Sequence, residues 1–142
     1  MCGIAGLLTL PNMPKEKIRN ILAIFASELN HRGPDDSGFW SDENLGVYLV
    51  HTRLSIVDLS KAGTQPMESS SGRYVISFNG EIYNHEEIRT KISRTLNFKK
   101  VWKGYSDTEV LLESIELFGL NKTLEFARGM FAISLWVDSM AD

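Results

Sequence analysis

Apolar and polar positions alternate or recur along this chain with changing period, and the changes mark out its elements. Gly3 to Leu10 is a short, largely apolar run that stops at Pro11, the pattern of a buried first strand. Pro14 then opens a helical pattern in which Ile18, Ile21, Leu22, Phe25 and Leu29 form one apolar stripe, ending before His31. Pro34-Asp35-Asp36-Ser37-Gly38 has turn chemistry throughout and predicts a surface loop. Strand-like runs follow at Gly38 to Ser41, at Leu45 to His51, where Val47, Leu49 and His51 alternate with Gly46, Tyr48 and Val50, and at Arg73 to Phe78. Arg53 to Asp58 begins extended and leads into a polar loop ending near Gln65-Pro66-Met67. Asn79-Gly80, taken alone, reads as a hairpin turn.

A second helix is predicted over His85 to Leu96, with Glu86 and Glu87 as first-turn acids, and a short strand over Phe98 to Trp102. The third helix carries a capping box, Ser106 with Glu109, a buried face of Val110, Leu111, Ile115 and Phe118, and a stop at Gly119. Met130 to Val137 reads as a last buried strand. Strands outnumber helices and occur mostly as neighbours, so the class is α+β with helices laid on sheet.

The 142 residues suffice for one domain with a real core. With 43% hydrophobic and 23% charged residues the composition is that of a globular protein. A net charge of −3 gives no electrostatic case for nucleic acid or an anionic membrane as partner. No basic-then-apolar leader opens the chain, and no apolar run approaches the roughly 18 residues that span a bilayer, so a cytoplasmic location is expected. His31, His51 and His85 are not spaced as metal ligands, and structural or surface roles are expected for them.

The one cysteine, Cys2, cannot form an internal disulfide, and its position carries the candidate chemistry. If Met1 is removed, the thiol and a free α-amine share one residue. That amine has an ordinary pKa of about 7.7 to 8.0 and can serve as a base near neutrality. A thiol with its own base is an activated nucleophile.

Five short strings then occur in order: Cys2-Gly3-Ile4-Ala5-Gly6, His31-Arg32-Gly33-Pro34-Asp35, Arg53-Leu54-Ser55-Ile56-Val57-Asp58, Asn79-Gly80-Glu81-Ile82-Tyr83-Asn84 and Ser106-Asp107-Thr108-Glu109. Together they resemble the glutaminase domain of glutamine-hydrolysing asparagine synthetases, a class II glutamine amidotransferase of the N-terminal-nucleophile hydrolase type. The resemblance runs from Cys2 to about Trp136 and treats residues 1–142 as one glutaminase domain.

It implies a four-layer αββα sandwich with antiparallel sheets. It also implies hydrolysis of L-glutamine to glutamate and ammonia through a thioester on Cys2. Asn79 and Gly80 are implied as oxyanion donors, Arg53 as the partner of the substrate α-carboxylate, and Asp107 as the partner of its α-ammonium. Leu54, Ser55, Ile56, Val57 and Glu81 are implied to line the same pocket. The ammonia is expected to serve ATP-dependent asparagine synthesis from aspartate in a synthetase domain or subunit. ATP and Mg are expected only there, with no cofactor or metal in this chain, and the full-length family implies a possible homodimer.

The family normally adds strands after a Gly-Met-Phe-Ala segment, here Gly129 to Ala132, whereas the likeness decays from Val137 to Asp142. Missing C-terminal strands and a truncated domain are therefore expected. Three alternatives stay open on the sequence: an inactive remnant or binding module, a glutaminase serving another carboxylate, and a subunit working with a separate synthetase.

Overall fold

A computed structural model describes residues 1–10, 12–55, 60–96 and 101–138. The chain runs β1 (Gly3–Leu8), α1 (Lys15–Leu29), β2 (Asp36–Asp42), β3 (Val47–Arg53), a 3-10 turn at Lys61–Gly63, β4 (Met67–Glu68), β5 (Tyr74–Ile82), α2 (His85–Leu96), α3 (Asp107–Phe118), α4 (Leu120–Phe126) and β6 (Gly129–Val137). Two antiparallel three-stranded sheets result, ordered β1-β3-β2 and β4-β5-β6.

The first sheet is tied to α1 on its outer side, where Thr52 Oγ1 donates to the Leu29 carbonyl at 3.0 Å. Its inner side meets the second sheet. Trp40 of β2 and Trp136 of β6 face each other at 6.4 Å between ring centroids, and Trp40 Nε1 donates to Glu68 of β4. Against the far side of the second sheet, Ile76, Phe78 and Ile82 pack on Ile88 and Ile92 of α2 and on Val110, Leu111, Leu112 and Ile115 of α3. Each such side chain contributes about 1.5–3 kcal/mol by leaving water, so this cluster is the main core. The layers are the αββα sandwich expected, and the fold is α+β of the N-terminal-nucleophile hydrolase type.

The helical stripe of α1 forms as expected, with Ile18 buried and Ile21, Leu22, Phe25 and Leu29 half-buried. Several boundaries differ. β1 stops at Leu8, not Leu10, and the expected loop at Pro34–Gly38 is already strand from Asp36, because Asp36 to Asp42 pairs continuously with Arg53 to Val47. β3 begins at Val47 and runs on to Arg53, and all seven of its residues are buried because α1 covers one face and the second sheet the other. Asn79-Gly80 is not a turn. It lies inside β5, paired with Ala132 and Phe131 of β6.

Of the strand expected at 98–102, residues 98–100 lie outside the described residues, and Val101 and Trp102 are not in a strand. Ser106 does cap α3, accepting from Thr108 N, but Glu109 does not complete the box; its carboxylate accepts instead from Lys103 N and Gly104 N. No described helix is long and apolar enough to cross a membrane.

His51 crosses from sheet to sheet. Fully buried, it donates its Nε2 proton to the Phe78 carbonyl at 3.1 Å, which leaves Nδ1 bare in the neutral ring. Burial pushes its pKa below the ordinary histidine value, with Arg53 lowering it further and the Phe78 contact and Asp36 opposing. The unfolded chain therefore takes up this proton first. The stability from a neutral His51 is complete above about pH 6.5 and is lost as pH falls from there through the lowered folded value. Urea unfolding at pH 7.5, 6.5 and 5.5 should show wild type losing stability relative to His51→Gln, and parallel pH dependences would contradict this.

Candidate active site

The candidate residues come together because both sheets end at one cavity of about 250 Å³. On the first sheet, β1 pairs with β3 from Gly3↔Thr52 onward, which sets Cys2 beside Arg53 and Leu54 just past the ladder. The Cys2 thiol accepts a hydrogen bond from Leu54 N at 3.4 Å and lies 3.8 Å from the Leu54 carbonyl. It is half-buried. Cys2, Arg53 and Leu54 all line the cavity, as does Met1.

The His31–Asp35 string supplies the frame for this corner. Arg32 Nε donates to the Cys2 carbonyl at 3.1 Å, fixing the backbone that carries the thiol. Asp35 donates its N–H to the Arg53 carbonyl at 3.0 Å and accepts from Ser55 N at 2.7 Å. Ser55, expected as a pocket residue, thus has its N–H committed to Asp35 and does not line the cavity. Ile56 and Val57 lie outside the described residues. Arg53 Nη1 donates to the Ser60 carbonyl at 3.0 Å.

On the second sheet the decisive feature is an open strand edge. β4 pairs with β5 only through Met67↔Ile76 and Glu68↔Val75, and Pro66, lacking an N–H, cannot extend the ladder as a donor. Beyond Ile76 the edge of β5 that faces away from β6 is taken by side chains. Phe78 N donates to Gln65 Oε1 at 2.6 Å, the Phe78 carbonyl accepts from His51, and Ile82 N donates to Asp107 Oδ2 at 2.9 Å. In an antiparallel strand alternate residues turn their N–H groups to the same edge. Gly80, midway between Phe78 and Ile82, therefore presents its N–H to that edge, where it lines the cavity.

Glycine is required there. The backbone has φ +153°, and a Cβ would overlap the backbone of Met130 and Phe131. Asn79 and Glu81 line the cavity beside it. Asn79 Oδ1 is buried with no hydrogen-bond partner among the described residues. At the end of the strand Asn84 accepts from Arg128 N and donates to the Phe126 carbonyl, which anchors β5 to the α4–β6 connection.

Asp107 is the first residue of α3 and reaches the same cavity. Burial pushes its pKa above the ordinary aspartate value, opposed by the N–H groups of Ile82 and Thr108 and by His85. A buried anion of this kind favours a cationic partner. The cavity thus holds a thiol, a backbone N–H at an open edge, an amide, one guanidinium and one desolvated carboxylate. His31 and His85 are not in the cavity lining, although His85 neighbours Asp107 through Ile82; each has Nδ1 against a backbone carbonyl, of Glu28 and of Ile82. Gln65, Thr108, Tyr83 and Met130 also line the cavity; Thr108 and Tyr83 stand inside two of the five strings and Met130 in the Gly129 to Ala132 segment, whereas Gln65 carries no signal in sequence periodicity or motif.

A thiol, a strand-edge N–H and charges of both signs lining one cavity are the equipment of an amide-cleaving site. The family model described as glutamine amidotransferase domain matches residues 1–141, and the chain belongs to that family. It is similar to asparagine synthetase B [glutamine-hydrolyzing] of Escherichia coli, 36% identical over 142 residues, covering 100% of this chain and 24% of that protein. It is likewise 36% identical over 135 residues to asparagine synthetase [glutamine-hydrolyzing] of Zea mays, covering 95% of this chain and 21% of that one. To amidase chry2 of Gibberella zeae it is 33% identical over 144 residues, 96% of this chain and 21% of the other. The chain spans less than a quarter of the length of each of these curated relatives.

Proposed function

We propose that this chain is a glutaminase module whose nucleophile is Cys2. The observation that carries the reading is the convergence of the Cys2 thiol, the Gly80 N–H edge and Asn79 on one cavity that also contains Arg53 and Asp107. With Met1 removed, the Cys2 α-amine takes the thiol proton and the sulfur adds to the carboxamide carbon of glutamine. Negative charge develops on the carboxamide oxygen and is met by the Gly80 N–H and the Asn79 amide. The carbon–nitrogen bond then breaks as the nitrogen takes the proton held by the amine, and ammonia leaves. Water hydrolyses the thioester that remains, releasing glutamate and restoring the thiol.

Arg53 supplies a planar guanidinium for the α-carboxylate, and Asp107 an acceptor for the α-ammonium. Leu54 and Glu81 complete the walls, with Ser55, Ile56 and Val57 in the neighbouring segment. The similarity to asparagine synthetases supports delivery of the ammonia to a synthetase domain or subunit that amidates aspartate. In this reading ATP and Mg²⁺ act in that second module. The similarity to a protein named amidase supports a second reading, the same hydrolysis serving a different acceptor.

Intact-mass analysis after treatment with an electrophilic ketone analogue of glutamine tests the reading, together with ammonia release from glutamine. One adduct on Cys2 in Met1-free protein is expected. Retention of Met1, or no adduct and no ammonia, would overturn it.

Asp107 gives a prediction in which stability and binding part ways. Because its folded pKa is raised, its contribution to stability is complete below the ordinary aspartate value near 3.9 and is lost as pH rises through the folded value. Asp107→Asn keeps an oxygen for Ile82 N without the buried charge. Unfolding at pH 7 should show stability equal to or above wild type, whereas the KM for glutamine should rise about 10²-fold, as for loss of one partner of a buried charge pair. A matched fall in stability with KM unchanged would make Asp107 a helix-start residue only.

A further inference from the structure

Gln65 has no place in the chemistry above, yet its side chain joins two parts of that site. The residue is 6% exposed and lines the cavity. Oε1 accepts from Phe78 N at 2.6 Å, and Nε2 donates to Thr108 Oγ1 at 3.3 Å. Its backbone carbonyl packs against Gly38 of β2, where a Cβ would overlap it, so the first sheet holds the residue as well.

Phe78 precedes Asn79, and Thr108 follows Asp107. A second tie, Asp107 Oδ2 to Ile82 N, joins the same two elements four residues further along β5. The Asn79–Glu81 segment is therefore braced to the start of α3 at both ends, once by Gln65 and once by Asp107. A neutral amide suits the first brace because it accepts and donates at once without setting a second charge near Asp107.

Resting on the glutaminase reading, we propose that Gln65 is a positioning residue that sets the spacing between the oxyanion donors on β5 and the Asp107 carboxylate on α3. It thereby fits the cavity to the distance between the side-chain amide and α-ammonium of glutamine. Displacement of reacting groups by about 1 Å can cost 10²-fold in rate, so a buried brace of this kind acts on the reaction without touching the substrate.

The test compares two reagents on Cys2 of the Met1-free protein. The ketone analogue of glutamine uses the whole cavity, whereas iodoacetamide reports only the thiol. In Gln65→Met, similar in volume but unable to make either bond, second-order labelling by the analogue should fall about 30-fold, with iodoacetamide changing less than about twofold. Thr108→Val, which removes one arm of the brace, should lose about tenfold and raise the KM for glutamine more than it lowers kcat. Thr108→Ser should restore labelling to within about threefold.

Analogue labelling of Gln65→Met within twofold of wild type overturns the proposal, as does equal slowing of both reagents. If Gln65→Met does not fold, wild-type rates in Thr108→Val overturn it. Wild-type protein alkylated by iodoacetamide but untouched by the analogue would instead sink the glutaminase reading, and this role of Gln65 with it.

Discussion

Cys2→Ala should abolish ammonia release from glutamine, by about 10⁴-fold or more, and remove all labelling by the electrophilic analogue, while cooperative unfolding persists. On the proposed mechanism the size follows from covalent catalysis, since without the sulfur no thioester can form, and the donors that remain can only bind substrate. The persistence of folding follows from the surroundings. The thiol is half-buried and, among the described residues, makes its hydrogen-bond contacts with the Leu54 peptide, at 3.4 and 3.8 Å, whereas the backbone at Cys2 is held by Arg32 and by the β1–β3 ladder that starts at Gly3, which alanine leaves intact. Ammonia assay, intact mass and denaturant unfolding on the same preparation check both halves. Ammonia release by Cys2→Ala near the wild-type rate would remove the nucleophile from Cys2 altogether.

The parts of this architecture that can be read locally are those with a period. The α1 stripe from Ile18 to Leu29 and the whole of α2 need only their own residues to be recognised. α4 has no such signal, because Leu120–Phe126 is seven residues with no side-chain cap, too short for a face to repeat. β3 misleads in another way. Its alternation implies one buried face, but α1 and the second sheet bury both, and only tertiary packing decides that.

Asn79-Gly80 shows the limit most sharply. As a dipeptide it favours a turn, and in the molecule it is extended because β6 pairs along it and its backbone presses where a side chain would be. The residues that resemble a motif, Cys2, Arg53, Asn79, Gly80 and Asp107, are legible as a set from their order in the chain, and they line one cavity. Gln65 and His51 are not legible, since each answers an unpaired backbone group on Phe78 that exists only because β4 is two residues long.

That open edge also determines how Asn79→Ala should behave. If the amide of Asn79 and the N–H of Gly80 share the developing oxyanion, deleting the amide should cost about 10²–10³ in kcat, some 2.7–4 kcal/mol of barrier. KM should change little if, as proposed, Arg53 and Asp107 hold the two charged groups of the substrate in ground state and transition state alike. Stability should not fall with the rate. Asn79 Oδ1 is buried with no hydrogen-bond partner among the described residues, so removing the side chain also removes an unsatisfied acceptor.

Asn79→Asp should be the more severe change, since it replaces donors with a negative charge at the place where negative charge develops. Steady-state kinetics of ammonia release, with unfolding of the same variants, separates the possibilities. A raised KM at unchanged kcat would make Asn79 a substrate contact and leave the Gly80 N–H as the oxyanion donor on this strand. A rate loss that tracks a loss of stability would mean that the side chain holds β5 in shape.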